Sequence, residues 1–185
     1  MKKALFVGSF NPITKLHIDI TLDLLKDNIV DYIYFLPVNS KKNNLQSISN
    51  RINMINLILK NNMKSLNILD YHESGLFNFN ILEKINKKEK ITHLIMGSDL
   101  FLKFNTFYKY EEILKKYNLI IIKRDGFDIE NYILKYYNNY IDKFIIIKKE
   151  YLGSSTMALK NLNNKDNKYL YDEVLNYIKE NNLYN

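Results

Sequence analysis

Along this chain, short runs of apolar residues alternate with longer stretches in which apolar positions recur every three or four residues. The short runs are "ALFVG" (4–8), "YIYFLPV" (32–38), "LNILDY" (66–71), "THLIMG" (92–97), "NLIIIK" (118–123) and "KFIIIK" (143–148). Rich in Ile, Val and Tyr, they predict strands, and several are apolar throughout, as strands covered on both faces should be. The helical period predicts helices over roughly 15–27, 49–62, 78–88, 107–116 and 128–138. Leu16, Ile20 and Leu24 form the stripe of the first, and Ile52, Ile55 and Leu59 that of the second. A tail helix over 169–182 carries Leu170, Val174 and Ile178 on one stripe.

Strand, helix, strand repeated in this way predicts a Rossmann-like, doubly wound α/β fold. The sheet is expected to be mainly parallel, with helices on both faces and a C-terminal helical tail, in a single domain over 1–185. Ligands of such sheets sit beyond the carboxyl ends of the strands, at the switch point. Gly8 and Gly97 each close a predicted strand, and Gly126 follows another by a few residues.

Composition narrows the function. With no cysteine among 185 residues, a disulfide framework and thiolate metal sites are excluded. Neither a signal peptide nor a membrane-length apolar run is present, so the expected location is the cytoplasm, without membrane attachment. A net charge of +7 favours anionic partners. The lysines are scattered in pairs (41–42, 87–88, 115–116 and 148–149) and form no basic stripe, which argues against nucleic acid. A homo-oligomer stays open.

The informative stretch is "GSFNPITKLH" (8–17), directly behind the first strand. Gly8 permits close approach of a ligand to the backbone. Asn11-Pro12 is a turn pair, and Thr14 is a good N-cap for the helix that follows. A helix start offers unpaired N–H groups and the positive end of the dipole, hence a phosphate site, with His17 in its first turn.

This stretch resembles the nucleotidyltransferase signature Gly-[Ser/Thr]-Phe-x-Pro-[Ile/Val]-[His/Thr]-x-Gly-His, and its wording is most similar to the nicotinamide or nicotinate mononucleotide adenylyltransferases. The resemblance continues in order through "FLPVNSKK" (35–42), "RINM" (51–54), "IMGSDLFLKFNTFYKYEEIL" (95–114), "IIKRDG" (121–126), "GSSTMALK" (153–160) and "VLNYIKENNLY" (174–184). Four positions or segments depart from the pattern. Leu16 stands where most members have glycine, Phe107 where a tryptophan is usual, and Leu159 where the loop arginine belongs. The segment "GLFNFNIL" (75–82) lacks the usual Ser-Tyr-Thr.

The resemblance implies transfer of AMP from ATP to nicotinate or nicotinamide mononucleotide, releasing pyrophosphate, in NAD biosynthesis. The phosphate monoester has its second pKa near ~6, so it is an anionic nucleophile at neutral pH and needs no general base. That accords with a sequence offering no Ser-His-Asp set and no HExxH. By resemblance His17 and Thr14 are catalytic, and Gly8, Ser9, Phe10, His17, Gly97, Ser154, Ser155, Thr156 and Lys160 bind ATP. Lys160 would replace the missing loop arginine. Lys42, Asp99, Phe107 and Arg124 would bind the mononucleotide, with Phe107 against the pyridine ring. A Mg2+ ion would bridge the ATP phosphates, with no dedicated protein ligand set. The alternatives are a sibling acting on phosphopantetheine or with CTP, and a non-catalytic nucleotide-binding relative. His72 and His93 are expected to be structural.

Overall fold

In the computed structural model, residues 1–39, 44–59, 64–69, 78–124, 126–151, 153–162 and 167–184 are described. Six strands form one sheet: β1 (Lys3–Gly8), β2 (Tyr32–Pro37), β3 (Leu66–Ile68), β4 (His93–Gly97), β5 (Asn118–Ile122) and β6 (Phe144–Ile147). Their order is β3-β2-β1-β4-β5-β6, and every pairing is parallel. The helices are α1 (Lys15–Lys26), α2 (Ile48–Leu59), α3 (Phe79–Glu89), α4 (Ser98–Phe101), α5 (Tyr110–Lys116), α6 (Ile129–Tyr136), α7 (Ser155–Lys160) and α8 (Asp172–Glu180). The expected doubly wound α/β architecture is the one observed.

The unbroken apolar strands have the cause anticipated, a core on each face. Ala4, Phe6, Ile33, Phe35, Ile95 and Ile120 point to one side, against residues of α1, α2 and α8. Leu5, Val7, Leu36, Leu94, Met96, Leu119 and Ile121 point to the other, against α3, α5 and α6. Burying both sides of β1, β4 and β5 removes a large apolar area from water at about 25 cal/mol per Å². β1 lies between β2 and β4, so the winding reverses there. The crevice beyond the carboxyl ends of β1 and β4 is therefore the place for a ligand.

Three element boundaries differ from the sequence reading. The helix expected over 107–116 begins only at Tyr110, because Phe107 is extended (φ −75°, ψ 137°) and Lys109 is left-handed (φ 56°). A 3₁₀ turn, Phe104–Thr106, replaces its start and seats Phe104 at 6.3 Å from Phe101 and 5.5 Å from Phe107. Aromatic packing against Tyr137 and Phe101 overrides local helical preference here. The helix expected over 128–138 stops at Tyr136 and gives way to a 3₁₀ segment, Asn138–Lys143. The tail helix starts at Asp172, since Tyr169 to Tyr171 run non-helically past the start of α1.

Candidate active site

At the end of β1 the chain turns through Phe10 in a left-handed conformation (φ 44°) before reaching α1. The Phe10 ring is buried and packs edge-on to Phe6 at 5.3 Å and to Phe35 at 5.4 Å. Gly8 is glycine because of this ring: a Cβ there would lie 2.9 Å from Phe10 Cζ. That corrects the sequence reading. The space beside Gly8 is filled by the protein's own phenylalanine and is closed to a ligand on that side.

Thr14 stands at the N-cap of α1, buried, and forms a capping box with His17. The Thr14 N–H donates to His17 Nδ1 at 3.1 Å, and its hydroxyl lies 2.7 Å from the same nitrogen. A ring nitrogen that accepts from a backbone N–H carries no proton, so the partners assign the neutral ring's hydrogen to Nε2. His17 is half-buried, wedged edge-on to Phe10 at 5.2 Å. The cap thus fixes both tautomer and ring plane.

The free N–H groups expected at this helix start are largely used. Lys15 N–H donates to the Tyr169 carbonyl at 2.9 Å and His17 N–H to the Thr14 carbonyl at 3.0 Å. What the first turn of α1 presents is the imidazole more than the backbone, a second correction. Tyr169 also explains Gly153, whose φ is +105° and whose added Cβ would lie 2.6 Å from the Tyr169 ring.

α7 begins beside this loop. The Ser155 hydroxyl donates to the Pro12 carbonyl at 2.8 Å, and the Ser154 hydroxyl accepts from Met157 N–H at 3.1 Å. The Ser155 hydroxyl thus ties the two loops together and the Ser154 hydroxyl caps α7, while Thr156 is exposed. Leu159 is half-buried and Lys160 exposed in the last turn of α7.

Across the crevice, at the tips of β4 and β5, Arg124 Nη1 donates to Asp99 Oδ2 at 2.8 Å, with both side chains about half in solvent (45% and 58%). Buried Ser98 ties the two tips: its hydroxyl donates to the Ile122 carbonyl at 3.1 Å and accepts from Arg124 N–H at 3.0 Å. Gly97 lies beside the Arg124 guanidinium: a Cβ added there would stand 3.8 Å from Arg124 Nε. Phe107 is half-buried on the same side. Lys42 and His72 lie outside the described residues. His93 is buried at the opposite end of the sheet, at the start of β4, in the structural position expected.

The sequence reading gave no site role to Arg51, Asn11 or Tyr184, which build this site. Arg51, on α2, is fully buried, and its guanidinium donates to Gln46 O (3.0 Å), Ser9 O (2.7 Å), Val38 O (2.9 Å) and Asn39 Oδ1 (2.9 Å). These are all neutral oxygens. Burial lowers its pKa from the ordinary guanidinium value, with Tyr184 opposing. Asn11 Oδ1 accepts from Gln46 N–H at 3.0 Å and from the Tyr184 hydroxyl at 2.9 Å, while its Nδ2 donates to Asn44 O at 3.1 Å. Burial pushes the Tyr184 hydroxyl upward, so it stays protonated and donates. Only the Arg of "RINM" and the closing Leu-Tyr carried any signal, and that signal was position in a motif, not a role.

Fold and crevice together define a Rossmann-like α/β protein of the nucleotidyltransferase class. The chain belongs to the cytidylyltransferase-like family, whose model matches residues 5–162. Among its relatives, a probable nicotinate-nucleotide adenylyltransferase of Endomicrobium trichonymphae is 31% identical and is matched over 99% of this chain and 98% of its own length. Another of the same description, from Caldicellulosiruptor bescii, is 27% identical over 100% of this chain and 99% of its own. In fold, the chain superposes on Plasmodium falciparum nicotinic acid mononucleotide adenylyltransferase complexed with NaAD, with a TM-score of 0.81 at 24% identity, covering 100% of this chain and 98% of that one.

Proposed function

We propose that the protein transfers AMP from Mg-ATP to nicotinate mononucleotide, releasing pyrophosphate and forming the dinucleotide. The mononucleotide phosphate attacks the α-phosphorus, a new P–O–P bond forms, and the bond to the β-phosphate oxygen breaks as pyrophosphate leaves. The nucleophile is already anionic at neutral pH, so positioning and charge stabilisation are what the protein must supply. The observation that supports this reading is the Thr14–His17 capping box at the switch point: it leaves Nε2 as the protonated nitrogen, which would donate to phosphoryl oxygens as they gain charge.

Ser9 and Phe10 on one side, and Thr156 with Lys160 on α7, would follow the triphosphate, with Ser154 and Ser155 holding their loop. Gly97, beside the β4 tip, would leave room for the nucleotide. Asp99 and Arg124, exposed and paired, would exchange bonds with the mononucleotide, with Lys42 from the β2 side and Phe107 against the ring. Among the described residues no cluster of three or more His, Asp or Glu side chains could hold a metal ion. In the proposed reaction the magnesium would arrive as part of the substrate, carried by the triphosphate. Among the described residues no helix is long and apolar enough to cross a membrane. A cytoplasmic location belongs to the same proposal, as does the absence of a nucleic-acid partner.

The test is incubation of purified protein with magnesium, ATP and each mononucleotide, with CTP in a parallel arm, and chromatography of the products. Nicotinic acid dinucleotide with stoichiometric pyrophosphate supports the proposal. A CTP-dependent product, or nucleotide binding without pyrophosphate, refutes it.

A further inference from the structure

We infer that Tyr184, four residues beyond the end of α8 and 173 positions from its partner, is a positioning residue that holds the loop bearing Thr14 and His17 through Asn11. The inference rests on the reaction proposed above. It starts from a conformational problem. Phe10 is a bulky residue at φ 44°, in a region that costs about 1–2 kcal/mol without glycine. Such a residue persists only where its surroundings leave no alternative. The clamp on this loop has two parts.

Arg51 pulls from below: its guanidinium joins the carbonyl of Ser9 to those of Val38 and Gln46, tying the β1 loop to the β2 loop and to α2. Asn11 is the second part, buried at 7% exposure with its whole amide engaged. One of its three bonds comes from the C-terminal tail. To make it, the chain reverses after α8 through Asn182 (φ 49°) and Tyr184 (φ 66°), both left-handed and neither glycine. Leu183 between them is buried, and its N–H returns to the Ile178 carbonyl at 3.0 Å. The Asn182 conformation is an ordinary helix stop, which asparagine tolerates and which seats Leu183 through its bond to Ile178; the left-handed Tyr184 beyond it is an unfavourable conformation that accompanies delivery of its hydroxyl to Asn11 Oδ1. Directly after the clamped Asn11-Pro12 turn comes Ile13, fully buried, and then the Thr14–His17 box, so the clamp fixes where Nε2 points.

Tyr184→Phe removes this hydroxyl and leaves the ring. The expected result is a kcat lower by about tenfold, since a small misplacement of catalytic groups costs that or more. Michaelis constants should stay within about twofold, because the substrate contacts themselves are untouched. Hydrogen exchange should quicken in the peptide covering residues 9–17 and remain unchanged in β5 and α6. Tyr177→Phe is the control: it removes an α8 hydroxyl that bonds Asn50 on α2 at 3.1 Å, away from the loop, and should leave kcat intact. Unchanged kcat in Tyr184→Phe, a kcat loss shared equally by Tyr177→Phe, or faster exchange spread over the whole chain would each overturn the inference. Wild-type protein that makes no dinucleotide would sink the proposed reaction instead, and the exchange experiment would still decide whether Tyr184 holds the loop.

Discussion

His17 fills space beside Phe10 and, in the proposed reaction, would also offer Nε2–H to a phosphate. His17→Ala should cut kcat by roughly 10²–10³, the usual cost of losing an electrostatic stabiliser. The packing loss should lower the melting temperature only modestly, since the ring is half-exposed. Turnover assays and thermal melts on the same preparation check both, and near-normal turnover would remove His17 from the chemistry. His93 makes a different prediction. Burial, reinforced by Lys2, lowers its pKa from 6.5. Its Nε2 faces the Asn118 amide at 3.4 Å and its Nδ1 the Thr92 hydroxyl at 2.8 Å, a setting for a neutral ring. A group whose folded pKa is depressed holds stability above its unfolded pKa and loses it as pH falls toward the folded one. Stability should therefore decline as pH drops below about 6.5, and His93→Asn should flatten that limb in urea melts at pH 7.5 and 5.5.

At the scale of elements, the late start of α5 decides what Phe107 can do. A helix running from 107, as the local period predicts, would turn this ring with the helix face. The observed extended backbone lays it against Phe104 at 5.5 Å, at the mouth of the β4–β5 tips. Phe107→Leu should weaken mononucleotide binding about three- to tenfold, an aromatic pair being worth about 0.5–1.5 kcal/mol beyond burial, and leave ATP affinity unchanged. Calorimetric titration of each ligand against the mutant measures this. A fall in melting temperature with unchanged mononucleotide affinity would make Phe107 a core residue only. α7 contrasts with α5 in what sets its first residue. Its start is set by a local cap, Ser154 to Met157, three residues apart. The boundary of α5 is set by an aromatic cluster whose members lie as far along the chain as Tyr137 and Phe144.

For the whole molecule, the crevice joins the two halves of the sheet: loops after β1 and β2 with α7 on one side, the tips of β4 and β5 on the other. A ligand touching both should stabilise the entire fold. At a hundredfold excess over its Kd, the dinucleotide product should add about 2.7 kcal/mol. For a chain of this size that is a rise of about 5–10 °C in melting temperature. AMP and nicotinate mononucleotide, each engaging one side, should give smaller shifts at the same concentration. Differential scanning calorimetry with the three ligands decides this, and equal shifts from all three would mean that the crevice is not shared.

The sequence by itself determined the six strands, the burial of several of them on both faces, and the switch point ending in Gly8 and Gly97. Each follows from spacing within a few residues, because strand burial and helix stripes are written in local periods of two and 3.6. It also marked Thr14 as the cap of the first helix and placed His17 in that helix's first turn. Tertiary structure alone decided what surrounds that turn: the Phe10 ring filling the space at Gly8, the Tyr169 carbonyl taking the Lys15 N–H, and the burial of Arg51. Nothing in "RINMINLIL" distinguishes an arginine facing water from one with no exposed surface, since a helix has a polar face in either case. The acceptors that make burial of Arg51 tolerable come from Ser9, Val38, Asn39 and Gln46, and only the path of the chain brings them to one place.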